Sequence, residues 1–194
     1  MRLSKFLAGF VAVFGLATLL GLAPVATAAE NKDMIAMDLE NTLYLDLAFG
    51  RIVIQMRPDL APNHVKRIKE LARSGFYNEV VFHRVIEGFM AQTGDPTGTG
   101  TGGSGQKLKA EFSNESHMRG TVSMARTDDP NSADSQFFIC LASASHLNGK
   151  YTVWGKVTSG MEFVDMIKKG ETFNNGIVND PTKIMKVWVA ADVK

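Results

Sequence analysis

Arg84 is the one cation among Phe82, Val85, Ile86, Phe89 and Met90, where burying an unpaired charge is costly. Its neighbours of the same strand parity are Phe82 and Ile86, so alternation puts the guanidinium on an apolar face. A structural ion pair with a distant acid would explain such an arginine. So would a chemistry that needs one fixed, multi-donor cation beside apolar surface and no nucleophile, base, metal or cofactor. Rotation about an X-Pro amide is such a chemistry. Its barrier of about 18–20 kcal/mol exists because the nitrogen shares its lone pair with the carbonyl. Twisting ends the sharing and makes the nitrogen a hydrogen-bond acceptor, so a donor that meets it only then binds the transition state better than the ground state. Arginine keeps its proton, and its rigid fork also reaches the neighbouring carbonyl.

Other chemistries fit less well. Gly98, Gly100 and Gly103 have the G-x-G-x-x-G spacing of a dinucleotide loop, but that loop needs a strand ending at the first glycine and a helix starting from the last. Here Ser104-Gly105-Gln106-Lys107 follows, too rich in glycine for the helix, and Gln106 stands where a P-loop needs lysine. Residues 94–105 therefore read as a flexible surface rim, and no cofactor is expected. His64, His83, His117 and His146 show no metal-ligand spacing, so no metal is expected. His83 should face away from Phe82 and Arg84, toward solvent or a satisfying partner. No serine lies in G-x-S-x-G, and Cys140, within Phe137-Phe138-Ile139-Cys140-Leu141, reads as a small buried hydrophobe.

The elements that must position Arg84 are mostly strands. Thr42 to Leu47 and Arg51 to Met56 alternate around Ala48-Phe49-Gly50 and predict an antiparallel hairpin. After Pro58 and Pro62, the spacing of Val65, Ile68, Leu71 and Ala72, closed by Gly75, predicts a helix. Short strands are expected at 80–86, 89–92, 120–125, 136–141 and 152–157, a second helix at 161–168 and a last strand at 183–193. Seven or eight short strands, two separated helices and no βαβ alternation favour an antiparallel barrel.

Arg2 and Lys5, the apolar run 6–22 and Ala26-Thr27-Ala28 make residues 1–29 a secretory signal peptide. Cleavage after Ala28 or Ala29 would leave residues 30–194, about 165 residues and one domain, with no stable membrane insertion. The 21 Lys and Arg of the chain become 19 against 20 Asp and Glu, a balance that gives no reason to expect nucleic acid as a partner. One cysteine forms no intrachain disulfide, so the exported fold must rest on packing. An exported, periplasmic or secreted monomer is expected.

The stretch Phe82-His83-Arg84-Val85-Ile86-Glu87-Gly88-Phe89-Met90-Ala91-Gln92 resembles the F-H-R-x-I-x-G-F-M-x-Q signature of cyclophilin-type peptidyl-prolyl isomerases. Three further stretches match in the family's order over about residues 40–192: Gly120-Thr121-Val122-Ser123-Met124-Ala125, Ser135-Gln136-Phe137-Phe138-Ile139, and Leu147-Asn148-Gly149-Lys150-Tyr151-Thr152-Val153-Trp154-Gly155-Lys156-Val157. The resemblance implies a mainly β fold, a closed eight-stranded antiparallel barrel capped by two helices, with a peptide groove outside. It makes Arg84 the catalytic arginine and Gln92 the glutamine that holds Arg84 and the peptide carbonyl. Phe89, Met90, Phe138 and Leu147 correspond to the proline pocket, and Ala125 with Arg126 to the segment whose backbone meets an extended peptide. Arg126 stands where many members have asparagine, His146 where tryptophan is common, Tyr151 where histidine is common, and Glu87 where proline is common. The exchanges at Arg126, His146 and Tyr151 predict weak cyclosporin binding with isomerisation intact, and the one at Glu87 carries no mechanistic consequence. Partners would be proline-containing peptides and exported proteins that are still unfolded or folding. The alternative is a proline-peptide binding or chaperone module in which catalysis is incidental.

Overall fold

The computed structural model describes residues 38–193, so the leader at 1–29 lies outside the described residues. Eight strands form one antiparallel sheet: β1 (Thr42–Leu47), β2 (Gly50–Met56), β3 (Arg84–Ile86), β4 (Met90–Thr93), β5 (Thr121–Met124), β6 (Phe137–Cys140), β7 (Val153–Ser159) and β8 (Ile184–Val189). Their spatial order is β3-β4-β6-β5-β7-β2-β1-β8. In the β1–β2 hairpin, Leu47 pairs with Gly50 across Ala48 and Phe49. Leu43, Leu45 and Leu47 alternate with outward residues and meet Ile52, Ile54 and Met56 inside, as period-two strands with one buried face require.

The inner face is filled by these side chains together with Phe82, Val85, Phe137 and Trp154. Phe137 meets Trp154 and Tyr77 edge-on, at centroid distances of 5.4 and 5.6 Å, and the buried Tyr77 hydroxyl donates to the Ser135 carbonyl at 3.0 Å. The first helix, α1 (Pro62–Arg73), packs Val65, Ile68, Leu71 and Ala72 inward. Ala61 offers it no side-chain cap. Glu111 supplies one from a distant loop, accepting the amides of Asn63 and His64 at 3.2 and 3.0 Å and meeting the buried His64 Nδ1 at 2.6 Å. A carboxylate there also answers the positive helix end.

Several expected boundaries shift for one reason: tertiary partners override local pattern. The second helix, α2, is Met161–Met166 and stops before Lys168 because Ile167 turns extended and is fully buried in the core. The last strand ends at Val189, where a 3-10 turn begins. The run 80–86 serves two partners: Val81 bridges to Lys183 and Phe82 donates to Thr182, while only Arg84–Ile86 pairs with β4. The parity slips between them. Phe82 and Val85 both point into the core, so Phe82 does not share the face of Arg84 as simple alternation predicts. The expected closed barrel is met as a curled sheet, its edge strands β3 and β8 joined through that Val81–Lys183 bridge and its flanking bonds, not by a ladder of their own.

Candidate active site

Outside the sheet, β3, β4 and β6 present one row of partners in register: Arg84 opposite Gln92, and Gln92 opposite Phe138. One pair along, Ile86 faces Met90 and Met90 faces Cys140. This register builds a second apolar cluster separate from the core: Met90, Phe138, Cys140, Ala144 and Leu147, flanked by Ile86, Phe89, Ala125 and Tyr151. Cys140 is buried within it, and burial pushes its thiol up to about 12, so it packs as the sequence suggests and is inert as a nucleophile.

A cavity of about 320 Å³ opens over this cluster. Arg84 and Gln92 form its polar lip; Phe89, Met90, Phe138 and Leu147 form its apolar floor and walls. Ala125, Arg126, His146 and Tyr151 complete the rim. The structure therefore brings together all ten residues singled out from the sequence. His146 lies against Phe89 with ring centroids 5.5 Å apart, and Tyr151 meets Phe138 edge-on at 6.0 Å. Arg126 stacks over Tyr151 at 4.5 Å and donates to the carbonyls of Lys150, Thr127 and Asp128. Its side chain thus braces the rim. The Ala125 amide donates to the Gln136 carbonyl at 2.9 Å, which leaves the carbonyl side of Ala125 to meet a peptide.

The Arg84 guanidinium is held from two sides by neutral acceptors. Nη1 donates to Gln92 Oε1 at 3.1 Å; Nε donates to the Asn175 carbonyl at 3.0 Å and Nη2 to Asn175 Oδ1 at 2.9 Å. No carboxylate among the described residues pairs with it, so the structural ion pair is not what keeps Arg84 in place. Burial lowers its pKa, yet an arginine stays charged at any physiological pH. A fixed, uncompensated cation at the lip of an apolar cavity can stabilise a lone pair or partial negative charge that appears there.

Four supporting residues escaped the sequence reading. Asn175 lies 91 positions from Arg84, in the left-handed region with φ 52°, a conformation asparagine tolerates better than most residues; Asn174-Asn175-Gly176 signalled only a turn. Gln136 fixes Gln92 by accepting from its Nε2 at 2.9 Å, and donates its own Nε2 to the carbonyls of Gly100 and Gly102 at 3.0 and 2.8 Å. His117 stacks beneath Phe138 with Nε2 3.1 Å from Ser123 Oγ; burial lowers its pKa, against the bond to Asn148, so it stays neutral.

Asp95 is the fourth. It is fully buried and gathers the glycine loop around itself, accepting the amides of Thr97, Gly100 and Gly102 at 2.7, 2.6 and 3.0 Å and the Thr97 hydroxyl at 2.7 Å. Asp134 likewise takes the amides of Ser104 and Gly105, each at 2.9 Å. The glycine pattern does cradle an anion, but the anion is the chain's own carboxylate, and the rim is tied down where the sequence suggested flexibility. His83 is corrected too. It is buried, neither ring nitrogen has a partner, and Gly100 packs against its ring; burial outweighs Asp95 and lowers its pKa, which keeps it neutral. Beyond Gln92, Ala125 and Arg126 a second cavity of about 460 Å³ continues toward this loop, with Lys107 and Asp134 on its walls.

Comparison with known proteins gives a consistent picture. The family model described as cyclophilin type peptidyl-prolyl cis-trans isomerase/CLD matches residues 42–189. A protein of Brucella suis named "Probable peptidyl-prolyl cis-trans isomerase" is 54% identical over 171 residues, covering 82% of this chain and 87% of the relative. A peptidyl-prolyl cis-trans isomerase of Helicobacter pylori is 44% identical over 63% of this chain and 77% of its own. Among solved structures, a cyclophilin of Hirschia baltica superposes with a TM-score of 0.72 at 26% identity, covering 81% of this chain and 76% of that one. A cyclophilin-type isomerase of Cryptosporidium parvum, crystallised in the presence of the dipeptide Ala-Pro, gives 0.71 at 30% identity over 76% and 98%.

Proposed function

Because the chain belongs to the cyclophilin-type peptidyl-prolyl cis-trans isomerases and is an isomerase of that type, we propose that Arg84 is its catalytic donor and that its substrates are X-Pro segments of proteins folding after export. The observation that carries the first part is the double clamp on the Arg84 guanidinium beside an apolar cavity. The proline ring rests among Phe89, Met90, Phe138 and Leu147, the apolar floor and walls of that cavity. Gln92 and Arg84 hold the carbonyl before the proline, and Ala125 with Arg126 lines up the extended backbone. As the amide twists, its nitrogen gains a lone pair, and the Arg84 fork is already placed to donate to it. Because the donor is preorganised, no protein reorganisation is needed at the moment of rotation.

Asn175→Gly tests the clamp. Glycine keeps the left-handed backbone and the carbonyl acceptor for Nε but removes Oδ1. Loss of one of the bonds that position the guanidinium, at the net value of an ordinary solvent-accessible hydrogen bond, predicts about a 3- to 10-fold fall in kcat with KM nearly unchanged, measured by NMR exchange on an Ala-Pro peptide. A rise in KM at constant kcat would instead make Asn175 a binding residue.

Export rests on Arg2, Lys5, the apolar run 6–22 and the small residues at 26–28. The mature enzyme would then work as a soluble, periplasmic or secreted monomer. Mass measurement of the protein recovered from cell fractions is expected to show an N-terminus at Ala29 or Glu30; a full-length mass beginning at Met1 would overturn export. Weak cyclosporin binding is expected because His146 and Tyr151 shape the rim.

A further inference from the structure

The chain between α2 and β8 runs along the side of β3 that faces away from β4. Val85 donates to the Gly176 carbonyl at 2.8 Å, Gly170 to the Val85 carbonyl at 3.0 Å and Val178 to the His83 carbonyl at 3.0 Å, and Arg84 and Ile177 are antiparallel partners. Directly opposed residues project to the same face, so Ile177 stands beside Arg84 on the outer surface. The row across the sheet is then Phe138, Gln92, Arg84, Ile177. Ile177 is 51% exposed, and Phe173, on the 3-10 turn that leads into the Arg84 clamp at Asn175, is 90% exposed. Phe173 is the most exposed large hydrophobic among the described residues.

Ile177 and the turn that carries Phe173 continue the candidate site on one side, as the second cavity with Lys107 and Asp134 continues it on the other. The two sides differ in chemistry: charged and polar beyond Gln92, greasy beyond Arg84. The residues before the proline belong with the second cavity, which shares Ala125 and Arg126 with the first. The chain after the proline must leave across Arg84. Ile177 lies one strand spacing, about 5 Å, beyond Arg84 and three, about 14 Å, beyond Phe138 in the proline pocket; with about 3.3 Å of advance per extended residue, the shelf falls roughly two to four residues after the proline.

We propose that Ile177 and Phe173 form a specificity shelf that binds an apolar side chain two to four residues downstream of the isomerised proline, so that the enzyme selects prolines followed by hydrophobic sequence. The proposal rests on the isomerase reading of the same site and adds to it the class of segment preferred. Such segments are exposed in unfolded chains and buried in folded ones, which biases the enzyme toward clients that have not finished folding.

The test compares two peptides, Ala-Ala-Pro-Ala-Leu-Ala and Ala-Ala-Pro-Ala-Ser-Ala, by NMR exchange with the wild-type chain, Phe173→Ser and the Phe173→Ser/Ile177→Ser pair. The wild type is expected to favour the leucine peptide by about fivefold in kcat/KM, chiefly through KM, as partial burial of one aliphatic side chain implies. The double variant should lose that preference and keep its rate on the serine peptide; Phe173→Ser, altering a side chain almost wholly in solvent, should lose part of it. Equal wild-type rates on the two peptides, or a preference that survives in the double variant, would overturn the shelf. Wild-type exchange on neither peptide would overturn the isomerase reading and the shelf with it.

Discussion

Arg84→Ala is expected to slow exchange on an Ala-Pro peptide by about 10²- to 10³-fold, the loss that follows removal of one preorganised donor at a developing charge, while the fold stays intact. Both halves follow from the setting of the side chain. Arg84 makes no ion pair, and it bonds Gln92 and Asn175 on the outside of the sheet. Its removal leaves those acceptors open to water and does not strand a buried charge. The melting temperature should therefore move by only a few degrees. Arg84→Lys sharpens the test, because lysine keeps the charge and loses the planar fork. If the fork matters, lysine rescues little of the rate; if charge alone matters, it rescues most of it. Neither Arg84 nor the two buried histidines should add a pH dependence to the rate around neutrality, since Arg84 does not titrate there and burial lowers the pKa of His117 and His83. Exchange at the wild-type rate in Arg84→Ala would remove the mechanism proposed for this site.

Arg84 also shows how far the sequence reaches. Its apolar surroundings were legible, and it does lie at the lip of an apolar cavity outside the core, but the parity argument placed Phe82 beside it when Phe82 is inside the core. The error arises where residues 80–86 exchange one partner strand for another, a tertiary event that alternation within one segment does not record. The ten pocket residues were found because each sits in a contiguous motif or next to one. Asn175 was not, because it meets Arg84 across 91 positions and looks locally like an ordinary turn. Gln136 lay within a matched stretch, yet its role depends on which glycine carbonyls come within reach. The glycine loop was read incorrectly as flexible. A spacing pattern counts glycines, whereas the physics turns on what receives their amides, and the receiver is Asp95, five residues before Gly100.

That inward-facing carboxylate carries the second large effect. Asp95 is fully buried; burial alone would raise its pKa, but the amides of Gly102, Thr97 and Gly100 and the Thr97 hydroxyl outweigh it and hold the group at about 2. Asp95→Ala leaves these donors pointing into an emptied site, and the expected loss is about 3–5 kcal/mol, a fall in melting temperature of roughly 6–20 °C for a domain of this size. The sign of the acid dependence follows from linkage. With the folded pKa below the unfolded value, Asp95 adds stability above about pH 4, and that contribution, about 2 kcal/mol, disappears as pH falls through 2. Asp95→Asn isolates this term, because asparagine keeps the shape and does not titrate. In urea unfolding, the stability gap between wild type and Asp95→Asn should shrink by about 2 kcal/mol between pH 6 and pH 2. A gap that stays constant over that range would mean that the loop is held by packing on His83 and not by the charge of Asp95. The loop also reaches the site through the Gly100 and Gly102 carbonyls, Gln136 and Gln92. Asp95→Ala should therefore lower isomerase activity at temperatures where the variant is still folded, by freeing Gln92 to release one side of the Arg84 clamp.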